Sequence, residues 1–192
     1  MASNDIFVEH ASNRVNLFKG ECQTILEQLN KSKDASKPII VAQCPVTFLR
    51  EVQADGSDIL IGEVSFMRCP RGELMGADGR VLDTPDWENK VERERENSKL
   101  PVGDPNIIWS MGDYLASDYH GKGIMTDAIR TLLHDWGVPR MGIRRVWVAT
   151  DTDNIASVKV FQKNGFSLIF SKEEHAEIKG RMKGLNILEW KM

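Results

Sequence analysis

The residues most suited to chemistry form one turn, Ser117-Asp118-Tyr119-His120-Gly121-Lys122-Gly123-Ile124-Met125-Thr126, between an apolar run ending at Leu115 and an amphipathic segment. A Gly-x-Gly turn opening a helix is an anion site. Its glycines let the backbone approach closely, the first N–H groups of the helix lack internal partners, and the helix dipole favours negative charge. Lys122 adds a cation. The ligand this chemistry suits is a phosphate or diphosphate. Two familiar phosphate loops do not fit. A Walker A loop needs glycine where Ala116 stands and Ser or Thr where Gly123 stands. A dinucleotide fingerprint needs a third glycine where Thr126 stands. A plain strand-to-helix turn with two glycines is the simpler alternative. A second constellation lies downstream: Asn154-Ile155-Ala156-Ser157 opens another helix and Lys163-Asn164-Gly165-Phe166 closes it.

The elements that would position these groups follow from periodicity. Val15, Phe18, Cys22, Ile25, Leu26 and Leu29 recur at helical spacing and predict a helix over 12–30. Segments 46–52 and 59–67 read as strands, with hairpin-turn residues Ala54 to Asp58 between them. Gly62 interrupts the second strand and predicts a bulge or a close backbone approach. Residues 107–115 read as a strand and 123–136 as a helix stopped by Gly137 and Pro139. A strand at 145–150, a helix at 154–163 capped by Asn154, and strands at 166–170 and 185–190 complete an α/β pattern. Residues 70–104 stand apart, rich in Pro and Gly and dense in both charge signs over Glu88 to Lys99. They read as an insertion with one or two solvated helical turns, either a surface loop or a lid or partner-contact element.

The chain has 192 residues, which suits a single domain over 1–192. A net charge of -3 argues against a polyanion-binding surface, so no nucleic-acid partner is expected. No apolar run reaches the roughly 18 residues of a membrane span, and the first residues lack a basic and an apolar signal region, so a cytoplasmic location without membrane contact is expected. Cys22, Cys44 and Cys69 are widely spaced and form no C-x-x-C pair. Neither a disulfide framework nor a metal site is expected.

Together the two constellations resemble the GNAT-type N-acetyltransferase superfamily, and more narrowly its branch of ribosomal-protein N-terminal acetyltransferases. The resemblance is strong over 107–170, fair over 46–67, weak over 1–45 and absent over 70–104. It implies a GNAT-like domain with a central mixed, mostly antiparallel sheet, flanked by helices and splayed at the family's fourth and fifth strands. It also implies acetyl-CoA as cosubstrate. On that resemblance the backbone of Tyr114, Leu115 and Ala116 pairs with the pantetheine amides like an added strand. His120, Gly121, Lys122, Gly123, Ile124 and Met125 wrap the pyrophosphate. Asn154 bonds the pantetheine arm, Phe161 lies along it, and Lys163 reaches the adenosine phosphates. Helix capping is the alternative for Asn154, and core packing the alternative for Phe161.

The implied reaction is attack of a neutral amine on the thioester by direct transfer in a ternary complex. It needs positioning, a route for the amine proton and a proton for the leaving thiolate. Two positions depart from the family. Many members of the branch carry Glu where Ser110 stands, and many superfamily members carry Tyr where Phe161 stands. Ser157 is then the candidate acid for the thiolate, and Ser110 a group that holds water or the amine. Asp113 leads a set of alternative proton acceptors that includes Glu63, Asp151 and His120. His10, His134 and His175 read as ordinary surface or partly packed residues. The acceptor expected is a peptide N-terminus or a small-molecule amine. A lysine amine, pKa about 10.4, costs about 4.6 kcal/mol to neutralise at pH 7, whereas an α-amine near about 7.8 costs about 1.1. A weak base therefore favours the α-amine. The competing readings are an acyl-CoA-binding domain with weak or lost chemistry, and an interaction domain built on 70–104. Homodimerisation is left open.

Overall fold

The computed structural model describes residues 6–10, 13–17, 40–42 and 47–192. Its strands are β1 (Ile6–His10), β2 (Asn13–Leu17), β3 (Phe48–Val52), β4 (Asp58–Arg68), β5 (Trp109–Leu115), β6 (Arg145–Thr150), β7 (Ser167–Ile178) and β8 (Arg181–Lys191). Its α-helices are α1 (Lys90–Lys99), α2 (Ile124–Thr131), α3 (Val138–Met141) and α4 (Ile155–Lys163). Two compact units emerge, Met1–Phe66 with Gly112–Gly142, and Met67–Met111 with Ile143–Met192. The β1–β2, β2–β3, β3–β4, β6–β8 and β7–β8 pairings are antiparallel, and β5 pairs with β6 in parallel. The fold is α/β with a mixed, mostly antiparallel sheet flanked by helices, as the resemblance implied.

In the first unit β1, β2, β3 and β4 pair in that order. Asn13–Leu17 is strand β2, so the helix predicted over 12–30 is wrong there; the rest of that prediction lies outside the described residues. Val15 suited both periods, with Phe18 at helical spacing and with Leu17 at strand spacing, and pairing with β3 decided for the strand. The β3–β4 turn is as predicted: Gly56 has φ 83°, and the Gln53 N–H donates to Ser57 O at 2.8 Å. The register shifts opposite Gly62, between Leu49 and Arg50. A Cβ at Gly62 would sit 2.4 Å from Tyr114 O, so both expectations for this glycine hold.

Helix α2 passes into a π-helical turn, Leu132–Gly137, and then α3, which ends at Gly142 in the left-handed region. Gly137 and Pro139 therefore do not end the helix. The Val138 N–H donates to Leu133 O, a five-residue step, and Pro139 follows this widened turn as the second residue of α3. Ile124, Ala128, Ile129, Leu132 and Leu133 are buried, the stripe expected from sequence.

In the second unit the strand order is β5, β6, β8, β7. The β5–β6 ladder holds two pairs, Trp109↔Val146 and Ser110↔Trp147, though the strands are 7 and 6 residues long. This short ladder is the expected splay. Strands β7 and β8 run well past the predicted 166–170 and 185–190. They meet at Lys179 (φ 52°) and Gly180 (φ 74°), and their charged outer halves hid the strand pattern.

Where composition suggested a loop or lid with a solvated helical turn or two, the insertion forms a 3-10 turn, Gly72–Leu74, and the ten-residue helix α1. Its charges are largely paired. Lys90 Nζ lies 2.8 Å from the fully buried Glu73 and also bonds Glu94. Arg68 donates to Asn97 O (2.9 Å) and Leu100 O (3.0 Å), capping the end of α1, and its guanidinium lies over the Trp109 ring. Asn97 is buried and bonds both backbone groups of Ile108, donating to its carbonyl and accepting its N–H. Ile108 O keeps a second donor in the Cys69 N–H, so Asn97→Ala strands chiefly the Ile108 N–H. We expect Asn97→Ala to cost about 1–3 kcal/mol in urea unfolding, with faster amide exchange along α1. Unchanged stability and exchange would refute this anchoring.

Candidate functional site

In the first unit a 3-10 turn, Ser117–Tyr119, follows β5, closed by Tyr119 N–H to Ala116 O (2.9 Å) and His120 N–H to Ser117 O (3.0 Å). Gly121 has φ 73° and Gly123, the N-cap of α2, has φ 79°. Both angles disfavour any residue with a Cβ. The Asp127 N–H donates to Gly123 O, so Ile124 and Met125 lie in the first turn, ahead of the helix's regular hydrogen-bond ladder. Ile124 and Met125 bury their side chains in the core. A Cβ at Gly121 would meet nothing within 4 Å. The turn thus has the open backbone approach that its sequence predicts.

Its polar groups are held locally. Lys122 Nζ lies 5.2 Å from the Tyr119 ring centroid, and Tyr119 OH donates to Glu51 on β3 at 2.7 Å. His120 Nε2 lies 2.8 Å from Leu115 O. A carbonyl only accepts, so Nε2 carries the hydrogen and Nδ1 is the nitrogen left for a proton. The Ala116 N–H donates to Ile61 O. Backbone groups alternate in direction along a strand, so Leu115 is the one of Tyr114, Leu115 and Ala116 whose groups point away from β4. Tyr114 is exposed.

Ser110 and Asp113 lie three residues apart on β5, and side-chain alternation sends them to opposite faces. Ser110 is buried and Asp113 exposed. Desolvation by surrounding protein nevertheless raises the Asp113 carboxyl above its usual range. The exposure keeps water at the group; the direction of the shift makes it a better base than a free aspartate. Glu63 is exposed on β4, and Asp151 is paired with Lys183 at 2.9 Å.

In the second unit Asn154 caps α4, its Oδ1 accepting the Ser157 N–H at 3.1 Å. Ser157 is half-buried one turn into that helix, and Lys163 is exposed at its end. Phe161 is fully buried edge-on against Phe166 (5.1 Å between centroids), so core packing accounts for its identity. Cys69 is buried, and burial pushes its thiol up to about 12, leaving about one in 10⁵ as thiolate at pH 7. Cys22 and Cys44 lie outside the described residues. His175 packs between Trp87 and Phe170, and burial lowers its pKa. No group of His, Cys, Asp and Glu among the described residues could hold a metal ion, and no helix among them is long and apolar enough to cross a membrane. A cleft of about 650 Å³ in this unit, lined among others by Asp78, Arg93, Asn97 and Arg144, contains none of the residues predicted from sequence.

The acetyltransferase (GNAT) domain family matches residues 46–167, which is most of the chain, and the protein belongs to that family. Among solved structures, the ribosomal-protein-S5-alanine acetyltransferase of Vibrio fischeri is similar with TM-score 0.52 and 18% identity, covering 97% of each chain. A GNAT-family acetyltransferase of Bacillus anthracis gives TM-score 0.52 and 12% identity, over 97% of this chain and 98% of that one. The yncA acetyltransferase of Salmonella typhimurium, solved with acetyl-CoA, gives 0.45 and 14% over 75% of this chain, which spans 64% of it. No curated protein matches the chain.

Sequence reasoning missed Glu51 and the hold of Tyr119 on it. They are 68 residues apart, and only the approach of β3 to the turn joins them.

Proposed function

We propose that this protein is an acetyl-CoA-dependent N-acetyltransferase that moves acetyl directly to a primary amine, an N-terminal α-amine or a small-molecule amine, in a ternary complex. The observation that carries this reading is the open Gly121-Lys122-Gly123 turn at the start of α2, in a chain of the GNAT family. The N–H groups of Gly121 to Met125 and the Lys122 ammonium bind the pyrophosphate. Leu115 offers its outward backbone groups to the pantetheine arm, displacing His120 from its carbonyl. Asn154 serves the arm with the part of its amide that does not cap α4, and Lys163 meets the adenosine phosphates.

Asp113 takes the amine proton, directly or through water, because its carboxyl is the candidate with a raised pKa and without an ion-pair partner among the described residues. The neutral amine attacks the thioester carbon, the tetrahedral oxyanion collapses, and the C–S bond breaks. Ser157 protonates the departing thiolate and is reprotonated, through water, by the proton that the attacking nitrogen loses as it becomes an amide. A thiol with pKa about 8.5 is already a fair leaving group, so Ser157→Ala should lower kcat only about tenfold, with acceptor KM nearly unchanged. Full activity of Ser157→Ala on every accepted amine would remove it from the mechanism.

A thiol-release assay over a panel of amines tests the whole reading. Turnover should be fastest with α-amines and slower with lysine ε-amines at pH 7. Ser110 and Phe161, which replace the family's frequent Glu and Tyr, favour one alternative: a domain that binds acyl-CoA with weak or no turnover. Calorimetric binding of CoA without thiol release from any amine would support that alternative.

A further inference from the structure

We propose that Glu51 on β3 is a positioning residue for acetyl-donor binding, acting through Tyr119 to hold the Lys122 ammonium at the glycine turn. The proposal rests on the acetyl-CoA reading and assigns that site a residue from outside its motif. Tyr119 OH donates to Glu51 Oε2 at 2.7 Å, and the same oxygen accepts from Gln53 Nε2 at 3.1 Å. Lys122 Nζ stands 5.2 Å from the centre of the Tyr119 ring. The contact with Glu51 raises the Tyr119 pKa, so the phenol stays protonated and donating.

A carboxylate close to a diphosphate site would ordinarily repel the ligand. Here two donors among the described residues absorb the charge, and neither is a cation. Glu51 therefore does not draw Lys122 into an ion pair of its own and leaves the ammonium for the ligand. A phenol donating to a carboxylate gains electron density, which strengthens the attraction of its ring face for a cation. Lys122 is a long side chain with considerable rotamer freedom, and a cation already placed loses less entropy on meeting the diphosphate. Tyr119 is also the last residue of the 3-10 turn and is fixed at its backbone to Ala116, so the bond from its ring to β3 ties both ends of the residue.

The test compares Glu51→Ala, Glu51→Gln and Tyr119→Phe with the wild type, using acetyl-CoA and the truncated donor S-acetylpantetheine, which lacks the diphosphate. Glu51→Ala and Tyr119→Phe should raise acetyl-CoA KM and CoA Kd roughly fivefold to twentyfold, with kcat changed less than about twofold. Glu51→Gln retains an acceptor for the phenol and should recover most of the lost affinity. KM for S-acetylpantetheine should be unchanged in all three. In the ligand-free protein, the ring-current shift on the Lys122 ε-protons should shrink in Glu51→Ala and return in Glu51→Gln. Unchanged acetyl-CoA KM in Glu51→Ala, or an equal loss with both donors, would overturn the proposal while leaving the acetyltransferase reading intact. Wild-type protein that binds no CoA would overturn both.

Discussion

Gly121→Val should weaken acetyl-CoA binding by about 100-fold or more in calorimetry, while the protein still folds. Two costs combine. Valine at φ 73° carries backbone strain of about 1–2 kcal/mol, because a β-branched side chain crowds the neighbouring carbonyl in the left-handed region. The Cβ would meet nothing within 4 Å in the free protein, so its bulk enters the space a diphosphate must occupy. Hydrogen bonds to a charged group are each worth about 1.5–3 kcal/mol, so displacing the ligand from two N–H groups accounts for the expected loss. Gly56→Val separates the two effects. Gly56 has φ 83° at the tip of the β3–β4 hairpin and is equally unobstructed. That variant should lose similar stability and keep its donor affinity. If Gly121→Val keeps its affinity within a factor of two, the turn does not hold the pyrophosphate.

Asp113→Asn should lower kcat/KM for amine acceptors by about 100-fold at pH 7, leave CoA affinity unchanged, and not reduce thermal stability. The kinetic part follows from removing a base whose useful contribution is usually about 10²–10⁴-fold. In the wild type the acid limb of kcat/KM should lie above about 3.9, the ordinary aspartate value, because desolvation raises this carboxyl. The stability part follows from linkage. A folded-state pKa above the unfolded value means the folded protein binds this proton more tightly. That stabilisation is fully present below the unfolded pKa and is lost as pH rises through the folded one. At pH 7 the ionised group therefore disfavours folding, and asparagine removes the disfavour. Full kcat/KM for Asp113→Asn on all accepted amines would eliminate it as the base. A lower melting temperature at pH 7 would mean that the carboxylate is held by favourable contacts instead.

The sequence by itself determined the local chemistry. The turn at 121–123 was legible because glycine adopts the left-handed angles found there without the strain a Cβ brings, and because an apolar stripe at helical spacing begins immediately after it. The β3–β4 hairpin and the Asn154 cap were legible for the same reason: each depends on residues within a few positions of one another. Tertiary structure decided what distance in sequence conceals. Residues 13–17 became a strand because β3 supplies backbone partners, which outweighed an ambiguous apolar pattern. Glu88 to Lys99 read as a solvated helical turn or two, and α1 reaches ten residues because Asn97 bonds the backbone of Ile108 and Arg68 caps its end. Asp113 and Ser110 are one short step apart on paper, and the alternation of a strand sends them to opposite faces. Glu51 carries no motif at all; it meets Tyr119 only because the fold carries β3 past the turn. Turn and cap preferences are local and can be read one residue at a time, whereas burial, pairing and desolvation belong to neighbours that only the folded chain supplies.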